Sequence, residues 1–425
     1  MKSRITAWLC VLTLAAGLSV APPVLAETDT AYTLPDIIAL SLTRHPSVAS
    51  AEGVVDQRVG QRVAAGAYPN PSFSGAGGHG ILRDGGRQDL LAAAQQRLEL
   101  SEYNVSIGQP LEWPAKRAAR KSAAEAALAG SSFGLVETRL NLTTDVKVAF
   151  FDLLLALRDL ELSKQNVTIV EDVRRIVGVR VRLGEAPQFD LIKADVEVLK
   201  ANQAVTRAEN TVRVNRVILD TLTGGALGST YQVRGDFLIY PGGLNTEQLV
   251  ARAATEHPAV LRLQKFVEQA DRSIEFQRQN RVPNLTVNGS YFREIGREAY
   301  VAGFTVPTPL WYQQQGEIAA SLGAKRTEEA ELLRTRNELF RQVNQFYQEA
   351  QTAQKLIEVL EKGLLKQAEE ALRIAKFSFQ QGAASLLEVL DAQRVQRQIL
   401  FDYAEARYQL SVALSRLERA VGGTL

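Results

Sequence analysis

The chain has 425 residues, 46% hydrophobic and 23% charged, with a formal net charge of +2. That balance excludes a disordered chain, and a charge so close to zero argues against a nucleic-acid partner. One cysteine and three scattered histidines give no zinc-site spacing and no disulfide framework.

Residues 1–26 read as an export signal. Lys2 and Arg4 precede the apolar run "AWLCVLTLAAGLSVA", and "VLA" at 24–26 is a small-residue cleavage site. Cys10 lies inside the apolar run rather than after it, so no lipid anchor is expected. Cleavage would remove Met1, Lys2, Arg4 and Cys10, leaving a formal charge of 0 and no thiol. The remaining chain has no run of about 18 uncharged apolar residues, so a transmembrane helix is not expected. A soluble, surface-attached or β-barrel protein all fit that observation.

From there the sequence says the same thing twice. A first repeat spans 27–224, a linker 225–244 and a second repeat 245–425. Each repeat opens with short helices around a His-Pro pair, His45-Pro46 and His257-Pro258, where proline suits the first helical turn. These histidines read as capping or packing groups rather than metal ligands. Two strand-like runs follow in each repeat, at about 70–77 and 101–110, then at about 283–293 and 299–307. In "YNVSIGQ", Tyr103, Val105 and Ile107 alternate with Asn104, Ser106 and Gly108. In "NLTVNGSYF", Leu285, Val287, Gly289 and Tyr291 alternate with Thr286, Asn288, Ser290 and Phe292. One apolar and one small or polar face is the membrane-barrel pattern, shared with any half-buried strand. The Gly-rich "GGHGILRDGG" at 77–86 lacks the ending of a phosphate loop and reads as the loop between the first two strands.

Long helices follow, at about 115–183 and 188–223, then at about 317–381 and 385–421. No proline stands between Pro114 and Pro187 or after Pro309, and no glycine between Gly134 and Gly178 or between Gly323 and Gly363. At 1.5 Å per residue the first of these helices reaches about 100 Å and needs partner helices along its apolar stripe. In the last helix Leu386, Val389, Leu390, Leu400, Tyr403, Leu410, Leu414 and Leu417 form such a stripe, read as core.

The turns inside each helical pair repeat as well. "LGEAPQFDLIKADVEVLK" and "QGAASLLEVLDAQRVQRQ" align with Gly184 on Gly382 and Asp190 on Glu388, 198 positions apart. Glu388 and Asp391 lie three apart, on one helical face. They read either as pore-lining carboxylates or as solvated acids favoured at a helix start. Four strands cannot close a membrane barrel and open edges are not tolerated in lipid, so several chains would have to share one barrel. Two copies give eight strands and three give twelve.

This set of features resembles the TolC-type outer-membrane efflux proteins over essentially the whole chain after residue 26. "LTRHPSV", "AAGAYPNPSFS" and "PLEWPAKRAAR" resemble the heavy-metal (cobalt–zinc–cadmium type) branch. The resemblance implies a mainly α fold with a small β part: long coiled-coil hairpins, and four strands per chain in a shared trimeric twelve-stranded barrel. It implies a homotrimer in outer-membrane lipid with its helical part in the periplasm. The partners it implies are a periplasmic adaptor and an inner-membrane pump of the resistance-nodulation-division type. Gly184, Glu185, Gly382 and Ala383 would be adaptor-docking tips. Glu388, Asp391 and Asp190 would line the pore entrance, with raised pKa values if crowded. Ala383 and Ala384 depart from a family pattern that can place a basic residue just after the second tip glycine, so the latch of the closed state is in question. The implied role is passive exit of divalent metal cations, or alternatively of drugs and solvents. It requires no catalytic, cofactor or metal site. Two other classes are carried alongside. A periplasmic coiled-coil tether would lack membrane strands. An exported helical enzyme would need a polar constellation, and none is visible.

Overall fold

The computed structural model describes residues 31–79, 101–228, 230–294 and 297–425. The export-signal reading lies outside the described residues, as do residues 80–86 of the Gly-rich loop.

A short strand β1 (Ala31–Thr33) leads into α1 (Leu34–Arg44) and α2 (Pro46–Gly66). Strands β2 (Ser72–His79) and β3 (Ser101–Leu111) precede α3 (Pro114–Arg182) and α4 (Gln188–Leu222). After β4 (Gln232–Arg234) the order recurs: α5 (Thr246–Glu256), α6 (Pro258–Gln279), β5 (Leu285–Glu294), β6 (Arg297–Thr305). The chain ends with α7 (Gln315–Val359), a π-helical turn at Leu360–Leu364, α8 (Leu365–Gln380) and α9 (Leu386–Val421).

Helix α3 runs 69 residues without interruption, about 100 Å. Its counterpart behaves differently. The span 317–381 looks like one helix by composition, yet a π turn divides it where its glycine-free stretch ends at Gly363. A π turn holds one residue more than the α ladder accommodates. Glycine's low helix propensity eases that rearrangement, and Tyr403 of α9 donates to Glu361 inside the turn at 2.8 Å.

The histidine junctions have a local cause. His45 caps α2, its Nδ1 accepting from the Ser47 N–H at 3.2 Å. His257 caps α6 in the same way, accepting from the Ala259 N–H at 3.1 Å. Each satisfies one of the orphan donors at a helix start.

Helix α3 packs between α4 and α9, and α9 between α3 and α7. The linker residues 225–244 and α1 close over the middle of this array. There Phe150, Phe151, Leu153 and Ile37 are buried with Leu219 and Tyr231. The repeat counterparts Phe346 and Tyr347 occupy the second half's core beside Val260, Val343 and Leu417. In α9, Leu386, Val389, Leu390, Leu410, Leu414 and Leu417 are buried, whereas Leu400 and Tyr403 are half-buried. Lys147 of α3 pairs with Glu418 of α9.

The four longer strands form one antiparallel sheet in the order β2-β3-β5-β6, joining the two repeats through β3 and β5. Because side chains alternate across the sheet, the register decides its faces. Phe73 pairs with Ile107, Gly75 with Val105, Val105 with Tyr291 and Tyr291 with Tyr300. This face is apolar and exposed, with Phe73 at 72%, Tyr300 at 86% and Phe304 at 75%.

Candidate functional site

Two regions can carry function: the sheet, and the far end of the helical hairpins.

The other face of the sheet is polar. Ser74 and Ser106 share a hydrogen bond of 2.7 Å, and Asn288 donates to Thr305 Oγ1 at 3.0 Å. Gly108 sits among them because a Cβ there would stand 2.7 Å from Asn288 Oδ1. Toward one end of the apolar face Tyr103, Tyr291 and Tyr300 stack, with ring centroids 5.7 and 4.9 Å apart. At the other end Trp113, Trp311 and Tyr312 are exposed. Apolar outside, polar inside and aromatic at both rims is how a strand set meets a bilayer. Strands β3 and β5, of 11 and 10 residues, have the length of membrane-crossing strands. Among the described residues, no helix is long and apolar enough to cross a membrane.

At the hairpin ends the two turns are built alike. Gly184 and Gly382 both have φ of +77°, a conformation open to glycine and costly for other residues. The Glu185 N–H donates back to the Arg180 carbonyl at 2.9 Å, and the Ala383 N–H to the Ser378 carbonyl at 2.8 Å. These are the same helix-ending bond one repeat apart. The sequence-derived tip residues Gly184, Glu185, Gly382 and Ala383 are all exposed there.

The tips touch each other. Val173, Val177, Phe379, Leu386, Val389 and Leu390 form one buried cluster between the hairpins. Arg180 crosses from the first hairpin to the second. Its Nη1 donates to the Phe379 carbonyl at 3.4 Å, and its guanidinium carbon lies 5.3 Å from the centre of the Phe379 ring. It also stands 3.9 Å from Glu185. Sequence reading missed Arg180. The signal was its place one turn before Gly184, where the second repeat has Ser378.

The acids occupy three different settings. The Glu388 carboxylate accepts from Ser385 Oγ at 2.9 Å, closing a capping box with the Glu388 N–H donating to Ser385 Oγ. Here Ser385-Leu-Leu-Glu388 is the sequence signature of such a box. Glu388 is thus a helix-start acid by geometry and still exposed. Asp391 is exposed one turn on, 3.6 Å from Arg394. Asp190 lies in the first turn of α4, in the groove between the tips, with Arg180, Glu185, Lys193 and Leu387. Glu388 and Asp391 lie three residues apart on α9, and Asp190 starts α4 in the other hairpin. Among the described residues, no group of three or more His, Cys, Asp or Glu could hold a metal ion.

A sheet dressed for lipid on one face, joined to long paired helices with exposed turns, defines an outer-membrane duct. Family comparison agrees: the family model for the outer membrane efflux proteins matches residues 37–225 and 249–423, once in each half. The chain belongs to the outer membrane efflux protein family. It is similar to the cobalt-zinc-cadmium resistance protein CzcC of Cupriavidus metallidurans, 24% identical over 96% of this chain and 94% of that one. It is also similar to the pyoverdine export outer membrane protein OpmQ of Pseudomonas aeruginosa, 24% identical over 92% of this chain and 83% of that one. The crystal structure of CusC shares the fold, with a TM-score of 0.77, 15% identity and 92% coverage of each chain. The protein is an outer-membrane efflux channel with its helical part in the periplasm. It conducts and does not catalyse.

Proposed function

We propose that three copies of this chain form one twelve-stranded barrel and helical tunnel, the exit duct of a tripartite pump for divalent heavy-metal cations. The observation that carries the trimer is the sheet itself. Its outer strands β2 and β6 have no partner beyond them in the described chain, and an open edge facing lipid leaves backbone groups without hydrogen bonds. The helices support the same reading. Helix α4 exposes Phe189, Ile192, Val196 and Leu199 at spacings of three and four, while α8 exposes Ile374 and Phe377. These stripes lie on helices at opposite flanks of the array, which suits head-to-tail packing into a closed ring.

In that ring the tips at Gly184–Glu185 and Gly382–Ala383 recur six times around the mouth and meet a periplasmic adaptor. The adaptor links to an inner-membrane pump of the resistance-nodulation-division type. Glu388, Asp391 and Asp190 line the entrance and favour cations. Metal cargo is supported by the similarity to CzcC across nearly the full length. An organic cargo is the second reading, supported by the comparable similarity to OpmQ.

Native mass spectrometry of protein extracted from outer membranes tests the assembly. A trimer is expected; a monomer or dimer that remains soluble would sink it. For the cargo, deletion of the gene should sensitise cells to divalent cobalt, zinc or cadmium. Unchanged metal tolerance with raised sensitivity to organic compounds would transfer the cargo to the second reading.

A further inference from the structure

A concavity in the helical array lies far from the tips. It is a cleft of about 680 Å³ with residues of four helices on its walls. Helix α3 contributes Thr144, Asp145, Val148 and Asp152, and α9 contributes Arg416 and Arg419. From α4 come Ile218 and Leu222, and from α7 Arg341 and Phe346. Helices α4 and α7 lie outside α3 and α9 in the array, so a cleft touching all four spans one face of it. In a closed ring of chains that face would line the bore. The placement in the bore therefore rests on the trimer proposed above.

The charges in the cleft are unequally engaged. Arg341 is held by Glu338 at 2.5 and 3.0 Å. Asp152 accepts the Tyr408 hydroxyl at 2.6 Å. Arg416 and Arg419 sit three residues apart on one face of α9, and among the described residues neither forms an ion pair with a carboxylate. Asp145 is the remaining acid, close enough for Arg419 and His45 to act on its charge. The Arg419 guanidinium therefore acts on the Asp145 carboxylate, and Arg416 lines the same cleft with no acid paired to it among the described residues. Beside them Ile218 is exposed and Leu222 and Val148 are half-buried, an apolar wall. A guanidinium fork matches a carboxylate bidentately, which a solvated metal cation cannot exploit.

We infer that this equatorial cleft binds a carboxylate-bearing organic anion, its acid groups on Arg416 and Arg419 and its apolar part against Ile218 and Leu222. A free organic acid and the organic chelate of a metal present this same chemistry. The channel then carries two zones of opposite preference, acidic at the tips and basic at its equator.

The test uses the full chain purified in detergent and isothermal titration with benzene-1,3,5-tricarboxylate. One molecule per chain is expected, with binding weakened at least tenfold in R416Q/R419Q. Absence of binding to the unaltered chain, or equal binding by the double variant, overturns the inference. If the double variant does not fold, I218N at an exposed position serves instead. It should weaken the aromatic tricarboxylate several-fold and leave sulfate binding unchanged; equal effects on both overturn the apolar half. The site lies within one chain, so calorimetry reads it whether or not three chains assemble, and mass spectrometry judges the ring separately. In planar bilayers the tricarboxylate should also block current through the channel. Binding without block would overturn the placement in the bore.

Discussion

The two hairpins began as the same unit, and they now agree in backbone and differ in side chains. Both tips end in glycine at φ +77° with the same return hydrogen bond. Around those turns the chemistry has parted. The first hairpin enters α4 through Pro187, with no side-chain cap, and the second enters α9 through the Ser385–Glu388 box. Lys193 stands where the second repeat has Asp391, and Arg180 where it has Ser378. The ascending helix is unbroken in the first half and interrupted by a π turn in the second. Conformations that few residues can adopt persist through duplication, whereas contacts replaceable by other contacts diverge.

That contrast can be tested by perturbing equivalent positions. The largest effect should come from Phe379→Ala, which empties the cluster between the tips where Phe379 is 4% exposed. A loss of about 3–5 kcal/mol is expected, read as lost hydrogen-exchange protection in both tips. Val181→Ala, the counterpart at a half-buried position, should cost clearly less. Equal losses would erase the asymmetry. Gly184→Ala and Gly382→Ala should each cost about 1–2 kcal/mol, and nearly the same amount, since no backbone crowds either site. Unequal costs would show that the turns are less equivalent than their dihedrals. Ser385→Ala should cost about 1 kcal/mol by removing the cap, with exchange accelerated in the first turn of α9 and not of α4.

The smallest effect at neutral pH concerns the histidine caps. Burial pushes the His257 pKa below 6.5, partly opposed by the Arg419 carbonyl. With Nδ1 accepting from Ala259 and Nε2–H donating to the Arg419 carbonyl at 3.0 Å, the ring is held neutral. The folded chain therefore takes up this proton less readily than the unfolded chain. Stability should be complete above pH 6.5 and decline as pH falls below it toward the lowered value. His257→Asn keeps a capping oxygen and should flatten that decline in thermal unfolding. A decline of unchanged size would assign it to other groups.

Much of this was legible in the residues. The tip glycines, the proline-free helices and the alternation in "NLTVNGSYF" each reflect a constraint acting within a few residues. So do the two histidine caps, placed by the proline that follows each. The capping box at Ser385 and Glu388 was equally local, and reading Glu388 as a tip acid drew attention from it. The tie from Arg180 to Phe379 was not legible, because it depends on how one hairpin lies against the other. Nor was the π turn, since one surplus residue in a helix leaves composition unchanged. The arginine cleft escaped for the same reason as Arg180: its walls come from four helices hundreds of residues apart.

The edges of β2 and β6, unpaired among the described residues, also bear on how the protein is made. A chain alone cannot satisfy those edges in the bilayer, and in water its apolar sheet face invites adhesion to other chains. Insertion and assembly must then be one event, with a rate that climbs steeply with the local number of newly exported chains. A cell could set how many ducts it owns through the timing of export as much as through its total amount.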